Sequence, residues 1–91
     1  MTGRPTHAVV SAVTEASDLI DAARGLAKTA DGRAMPETAK QVRAIARDLD
    51  GWRTRLIQDG EDDLDGALSC IAGATEYLPA HAALIGRGAH R

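Results

Sequence analysis

Apolar side chains recur at alternating steps of three and four residues in three separate stretches of the chain. The clearest stretch contains Trp52, the only tryptophan in a sequence that has no phenylalanine. Residues with this spacing lie on one face of an α-helix. The pattern predicts a helix over residues 36–58 with Trp52 as its largest apolar anchor. The core-facing side of this helix is expected to consist of Val42, Ile45, Leu49, Trp52 and Leu56.

The first stretch, over residues 6–29, carries two adjoining apolar stripes and so has a wide apolar face. A helix of this kind usually packs against two neighbours. One stripe comprises Val9, Val13, Ala16, Ile20, Ala23 and Ala27, and the other comprises Ala12, Leu19 and Leu26. The pattern breaks at Asp31-Gly32, and Pro36 has the fixed φ that suits the first position of the next helix.

The third stretch follows Asp59-Gly60 and opens with acidic residues, which are favoured at a helix N-terminus. Its seam comprises Leu64, Leu68, Ile71, Thr75, Leu78, Ala82 and Ile85. Pro79 interrupts this seam, because a proline inside a helix leaves the carbonyl four residues earlier without a donor. We therefore expect one helix over residues 61–77, a bent or separate continuation over 79–86, and a flexible tail at 87–91.

Together these stretches predict a single all-α domain over residues 1–91. Short connections favour an antiparallel three-helix bundle whose third helix is kinked or broken at Pro79. The apolar fraction of 44% is carried largely by alanine, and Trp52 and Tyr77 are the two aromatic side chains. Because a small, alanine-rich core buries little area, dimerisation could complete the bundle.

Charge and cysteine content narrow the choice of compartment and partner. The net charge of −2 gives no long-range attraction for nucleic acid or anionic lipid. A single cysteine, Cys70, excludes an intrachain disulfide framework and a Cys-rich metal site, which favours a reducing compartment. No apolar leader and no run of eighteen apolar residues is present, so we expect a cytoplasmic protein without a membrane segment. The excess of arginine over lysine is associated with high-GC bacterial genomes.

A second pattern on the third segment indicates a surface for a homodimer or another protein. Gly66 and Gly73 are spaced by seven residues, and a glycine inside a helix suggests that another backbone approaches closely. Beside them runs a stripe of mostly apolar or aromatic residues. The predicted interface comprises Gly66, Cys70, Gly73, Tyr77, His81 and Leu84. The alternative explanation is that this side of the segment only touches the first helix.

Catalytic and cofactor sites are hard to assemble from this sequence, so we expect neither enzymatic activity nor a bound cofactor or metal. Cys70 and His81 are separated by ~16 Å along a straight helix, too far for a nucleophile and its base. The acidic run that begins at Glu61 resembles a calcium-binding loop in its first six positions. Its twelfth position is Ala72, however, where such a loop needs a bidentate glutamate.

The function expected from these observations is recognition of a second copy or of another protein, as a non-enzymatic interaction or regulatory module. The alternative is a small nucleic-acid-binding regulator that uses a basic stripe formed by Lys40, Arg43 and Arg47 on the exposed side of the second helix. Residues 31–58 carry six basic and four acidic side chains, and residues 59–78 carry six acidic and no basic ones. We expect Arg53 and Arg55 to lie close to that acidic segment, and internal neutralisation argues against binding to phosphates.

Overall fold

The structure is a computed structural model and describes residues 6–88. This part of the chain is all-helical and contains no strand, which confirms the all-α prediction. Helix α1 spans His7–Gly32, α2 spans Pro36–Asp59, a 3-10 turn spans Gly60–Asp63, and α3 spans Leu64–Gly88. None of these helices combines the length and the hydropathy that a membrane-crossing helix requires. Residues 89–91 of the predicted tail lie outside the described residues, whereas residues 87 and 88 belong to α3.

Helix α1 begins with a side-chain cap. The backbone N–H of Val9 donates a hydrogen bond to Oγ1 of Thr6 over 3.2 Å, which satisfies one of the N–H groups left free at a helix start. The helix then continues past the Asp31-Gly32 position, where the sequence pattern predicts a break. It ends at Gly32, later than the expected position 29.

The turn between α1 and α2 places Ala34 in the left-handed region, with a φ of 57°. The N–H of Met35 donates to the carbonyl of Ala30 over 2.9 Å, and the N–H of Ala34 donates to the carbonyl of Asp31 over 3.1 Å. This pair of bonds is the Schellman motif, in which the left-handed position is usually glycine. Gly32 is the last helical residue, and the left-handed capping position that follows the helix is taken by Ala34.

The start of α3 also differs from the expectation. Gly60 has a φ of 65° and ends α2, and its N–H donates to the carbonyl of Leu56. Residues 60–63 then form a 3-10 turn, so the α-helix begins at Leu64 and not at residue 61. Glu61, Asp62 and Asp63 therefore lie in this tight turn ahead of α3, and Asp65 lies in the first turn of α3.

Helix α3 continues through Pro79 as one long bent helix, so of the two alternatives at this proline the bent continuation is confirmed and the separate helix over 79–86 is wrong. Pro79 is exposed, and the residues around it, Leu78 and Ile85, are both buried against the other helices. Packing on both sides of the proline holds the segment helical although the carbonyl of Thr75 has lost its usual donor. Tertiary contacts therefore outweigh the local preference for a break.

The core runs between the three helices as a series of small clusters. Val42, Leu49 and Leu56 of the Trp52 face are buried, while Ile45 and Trp52 are half-buried. Alanines supply much of the rest and let the helices approach closely. They are Ala12, Ala16, Ala23, Ala27 and Ala30 on α1, Ala39 and Ala46 on α2, and Ala67 and Ala74 on α3.

Polar contacts between the helices show how they run. Asp31 pairs with Arg43, and the Nη1–H of Arg53 donates to Oγ of Ser17 over 3.1 Å, so α1 and α2 are antiparallel. Helix α3 touches both of them and crosses from the Trp52 end of α2 back towards the turn at residues 33–35. There Nη1–H of Arg33 donates to the carbonyl of Ile85 over 3.2 Å.

Candidate partner-binding surface

Gly66 is in contact with Trp52 of its own chain. A β-carbon built on Gly66 would lie 2.7 Å from Cζ3 of the Trp52 ring, closer than real β-carbons approach. The close approach that the sequence predicts at this glycine is therefore made between α3 and α2. Intrachain packing is sufficient to explain why residue 66 has no side chain.

Gly73 differs from Gly66, because no atom of the chain lies within 4 Å of a β-carbon built on it. On α3 it is followed by Tyr77, Ala80 and Leu84 at steps of four, three and four, which places all four residues along one line of the helix surface. Tyr77 is 60% exposed and Leu84 is 40% exposed. We call Gly73, Tyr77, Ala80 and Leu84 the α3 stripe.

The C-terminal half of α3, which carries Tyr77, Ala80 and Leu84 of the stripe, has no charged side chain from Tyr77 to Gly86. Leu78 and Ile85 face the core, but Ala80, Ala82 and Ala83 are exposed together with the stripe. A helix that is apolar on every side is normally buried on every side. The outer surface of α3 therefore combines exposed apolar side chains with no charge from Tyr77 to Gly86, and it has no packing partner within the described residues.

His81 is held within the chain. Its Nδ1–H donates to the carbonyl of Tyr77 over 2.8 Å, and its Nε2 lies 3.3 Å from Oε1 of Gln41 on α2. The rings of Tyr77 and His81 are 6.0 Å apart and tilted, as expected for a packed pair one turn apart. His81 thus connects α3 to α2 at the edge of the α3 stripe, and sequence reasoning missed Gln41 as its neighbour.

Cys70 is half-buried and packs against the core. Burial, followed by the nearby carboxylate of Asp48, raises the pKa of the Cys70 thiol. Since the thiolate is the nucleophilic form, this environment makes Cys70 less reactive at neutral pH than a free cysteine. The described contacts of His81 do not include Cys70.

The basic stripe lies on the other side of α2. Lys40, Arg43 and Arg47 are exposed, and Arg43 forms an ion pair with Asp31 of α1. Arg43 and Arg47 also line an open groove of about 310 Å³ between α1 and α2. The groove is completed by Arg24, Ala46 and Asp50. Sequence reasoning missed Arg24, because its position beside the stripe depends on the register between two helices.

Arg53 and Arg55 are expected to lie close to the acidic segment, and the charge of Arg55 does act on Asp63, but neither arginine forms an ion pair with residues 59–65 in the described part of the chain. The Nη2–H of Arg53 donates to Asp50 over 2.6 Å, one turn earlier on its own helix. The guanidinium carbon of Arg55 lies 4.8 Å from the centre of the Trp52 ring, a cation–π arrangement. Both arginines are therefore engaged around α2, and only the longer-range charge of Arg55 acts on Asp63.

Comparisons with protein families, curated proteins and solved structures gave no match. Within residues 6–88, no group of three or more histidine, cysteine, aspartate or glutamate side chains is arranged to hold a metal ion.

Proposed function

We propose that this chain is a non-enzymatic helical interaction module that acts as a homodimer or by binding a partner protein through the α3 stripe. In this proposal α1, α2 and α3 form an antiparallel three-helix bundle that the partner completes. The observation that carries it is the exposure of Tyr77 and Leu84 on an uncharged half of α3. We place the module in the cytoplasm, a reducing compartment in which its free cysteine would stay a thiol.

Energetics support burial of this surface. Moving a large apolar side chain from water into a packed site stabilises a complex by roughly 1.5–3 kcal/mol. Tyr77 and Leu84 retain a large part of that surface, and Ala80 and Gly73 beside them allow another helix to come close. The thiol of Cys70 and the ring of His81 are, in turn, better explained by contacts inside the chain than by catalysis.

The experiment is to measure molar mass by light scattering at two protein concentrations for the wild type and for Leu84→Glu. The expected result is a dimer that Leu84→Glu converts to a monomer with unchanged helicity by circular dichroism. Ile57→Glu is the matched control, since Ile57 is a large apolar residue on α2 that is 68% exposed. Dissociation by the control, with Leu84→Glu remaining dimeric, would overturn the choice of α3.

If the wild type is a monomer at both concentrations, the homodimer is excluded and the partner must be a different protein. A pull-down from the native host with wild type and Leu84→Glu side by side then tests the module. A specific protein retained by the wild type and lost by the variant supports it. Equal retention of every protein by both forms contradicts it.

A second candidate function is nucleic-acid binding by the basic stripe. The observation that favours it is that Arg24 joins Arg43 and Arg47 at one groove, which gathers three guanidinium groups from two helices. Asp50 in the groove and the Arg43–Asp31 pair reduce its positive charge. Retention on DNA that falls steeply with salt, and that Arg47→Gln weakens, would support this candidate. No retention at low salt eliminates it.

A further inference from the structure

We infer that α3 pairs with α3 of a second copy in an antiparallel arrangement, with the two-fold axis between Leu78 and Pro79. This inference rests on the proposed function, and it names the partner and the register. Its starting observation is the order of small and large residues along the α3 stripe, which is small, large, small, large from Gly73 to Leu84.

An axis at that point brings each large residue opposite a small one. Residues equally far from the axis face each other in a symmetric antiparallel pair. Leu84 is as far beyond the axis as Gly73 is before it, and Ala80 mirrors Tyr77 in the same way. Leu84 therefore fills the open space at Gly73 of the partner subunit, where a β-carbon meets no atom of its own chain.

A parallel pair lacks this fit. In a parallel, in-register pair every residue meets its own copy, so Gly73 faces a glycine and leaves a void, while Tyr77 and Leu84 each crowd against their own copies. Parallel pairing also sets the two acidic starts of α3, with Asp63 and Asp65, side by side, and like charges repel. The antiparallel pair separates these ends.

The antiparallel register also places unlike charges together. Along the helix axis, the partner's Arg87 lies at the level of residue 70. Around the helix, it lies on the flank of α3 that carries Asp65 and Glu76. Each of these carboxylates is ~8–9 Å away along the helix axis, a distance that an arginine side chain can largely span. Arg87 is exposed and forms no ion pair within residues 6–88, so it is free for this role.

Disulfide trapping tests the register. In a Cys70→Ser background, Gly73→Cys and Leu84→Cys are introduced singly and together, and the protein is oxidised at low concentration. Position 73 lies ~16 Å from position 84 of the same helix, too far for an intrachain disulfide. The expected result is a covalent dimer for the double variant and for a mixture of the two single variants. Each single variant alone is expected to stay unlinked.

The outcomes separate this inference from the proposed function. A Gly73→Cys variant that cross-links alone indicates a parallel pair and overturns the register. A dimer by light scattering that does not cross-link between positions 73 and 84 also overturns it, while the proposed homodimer stands.

Discussion

The ring of Trp52 packs so tightly against the backbone of Gly66 that the pair leaves no room for a β-carbon on α3. The tryptophan is half-buried, and the guanidinium of Arg55 lies over the face of its ring. The position of α3 near its start is thus determined by a large side chain, that of Trp52, and by the lack of a side chain at Gly66. This relationship leads to a stability prediction that is independent of any partner.

Gly66→Ala is expected to destabilise the fold. Alanine gains up to about 1 kcal/mol over glycine in a helix, but overpacking typically costs about 1–3 kcal/mol. Gly25→Ala on α1 is the matched control, because Gly25 is exposed with no atom near a built β-carbon. Urea unfolding followed by circular dichroism should place Gly66→Ala below Gly25→Ala by about 1–3 kcal/mol.

A double-mutant cycle checks the cause. In a Trp52→Leu background the ring edge is gone, so Gly66→Ala should lose most of its penalty and behave like the Gly25→Ala control. If Gly66→Ala costs the same with and without the tryptophan ring, contact with Trp52 is not the reason for the glycine.

Ala34→Gly is expected to stabilise the protein by about 1 kcal/mol. Ala34 has a φ of 57°, a conformation that costs a residue with a β-carbon roughly 1–2 kcal/mol, partly offset by the greater chain entropy of glycine when unfolded. Ala22→Gly, at an exposed position inside α1, should instead lose about 1 kcal/mol. Thermal and urea unfolding of both variants measures the contrast. Equal losses would show that the left-handed position of Ala34 carries no cost.

The Ala34 turn also shows where sequence reasoning reached its limit. The Trp52 face could be predicted because the period of a helix is a local property that is read directly from residues 42–56. The end of α1 could not, since left-handed positions usually contain glycine and Gly32 was the nearer candidate. Of the kink or break predicted at Pro79, the break is wrong for a related reason, because burial of Leu78 and Ile85 outweighs a local preference.

The contacts of the candidate site could not be predicted, because they depend on the register between helices. That register cannot be read from the sequence of any one helix. The sequence indicated Gly73 and, on a neighbouring stripe, Tyr77 and Leu84 as interface residues, but it did not place them on one line. That Gly66 meets Trp52 while Gly73 meets nothing became evident only from the packing. Arg24 in the groove and Gln41 beside His81 were missed in the same way.

Pro79→Ala is expected to stabilise α3. The substitution restores an N–H donor for the carbonyl of Thr75, and alanine is favoured over proline by up to about 3 kcal/mol in a helix interior. A gain of about 1–3 kcal/mol is expected, because the surrounding helix has already adapted to the proline. Pro36→Ala is the control, since Pro36 stands in the first turn of α2, where proline is tolerated. A loss of stability in Pro79→Ala would indicate that the proline is needed for the packing of Ile85.

Asp63 is expected to make the fold less stable as pH rises. A hydrogen bond with Asp59, then burial and the repulsion of Asp59, raise the pKa of Asp63 above its ordinary value of 3.8, against the opposing charge of Arg55. The native state therefore holds this proton more tightly than the unfolded chain does. Its contribution to stability is complete below the ordinary pKa and is lost as pH rises through the native pKa.

Asp63→Asn removes this pH dependence, because an amide does not titrate and can still donate to Asp59 at neutral pH. The variant is expected to exceed the wild type in free energy of unfolding at neutral pH, with the difference shrinking as pH falls through the window above 3.8. Urea unfolding at a series of pH values between about 3 and 7 measures this difference. Glu61→Gln, in the same 3-10 turn, controls for the loss of one negative charge. A difference that grows as pH falls would reverse the sign and contradict the raised pKa.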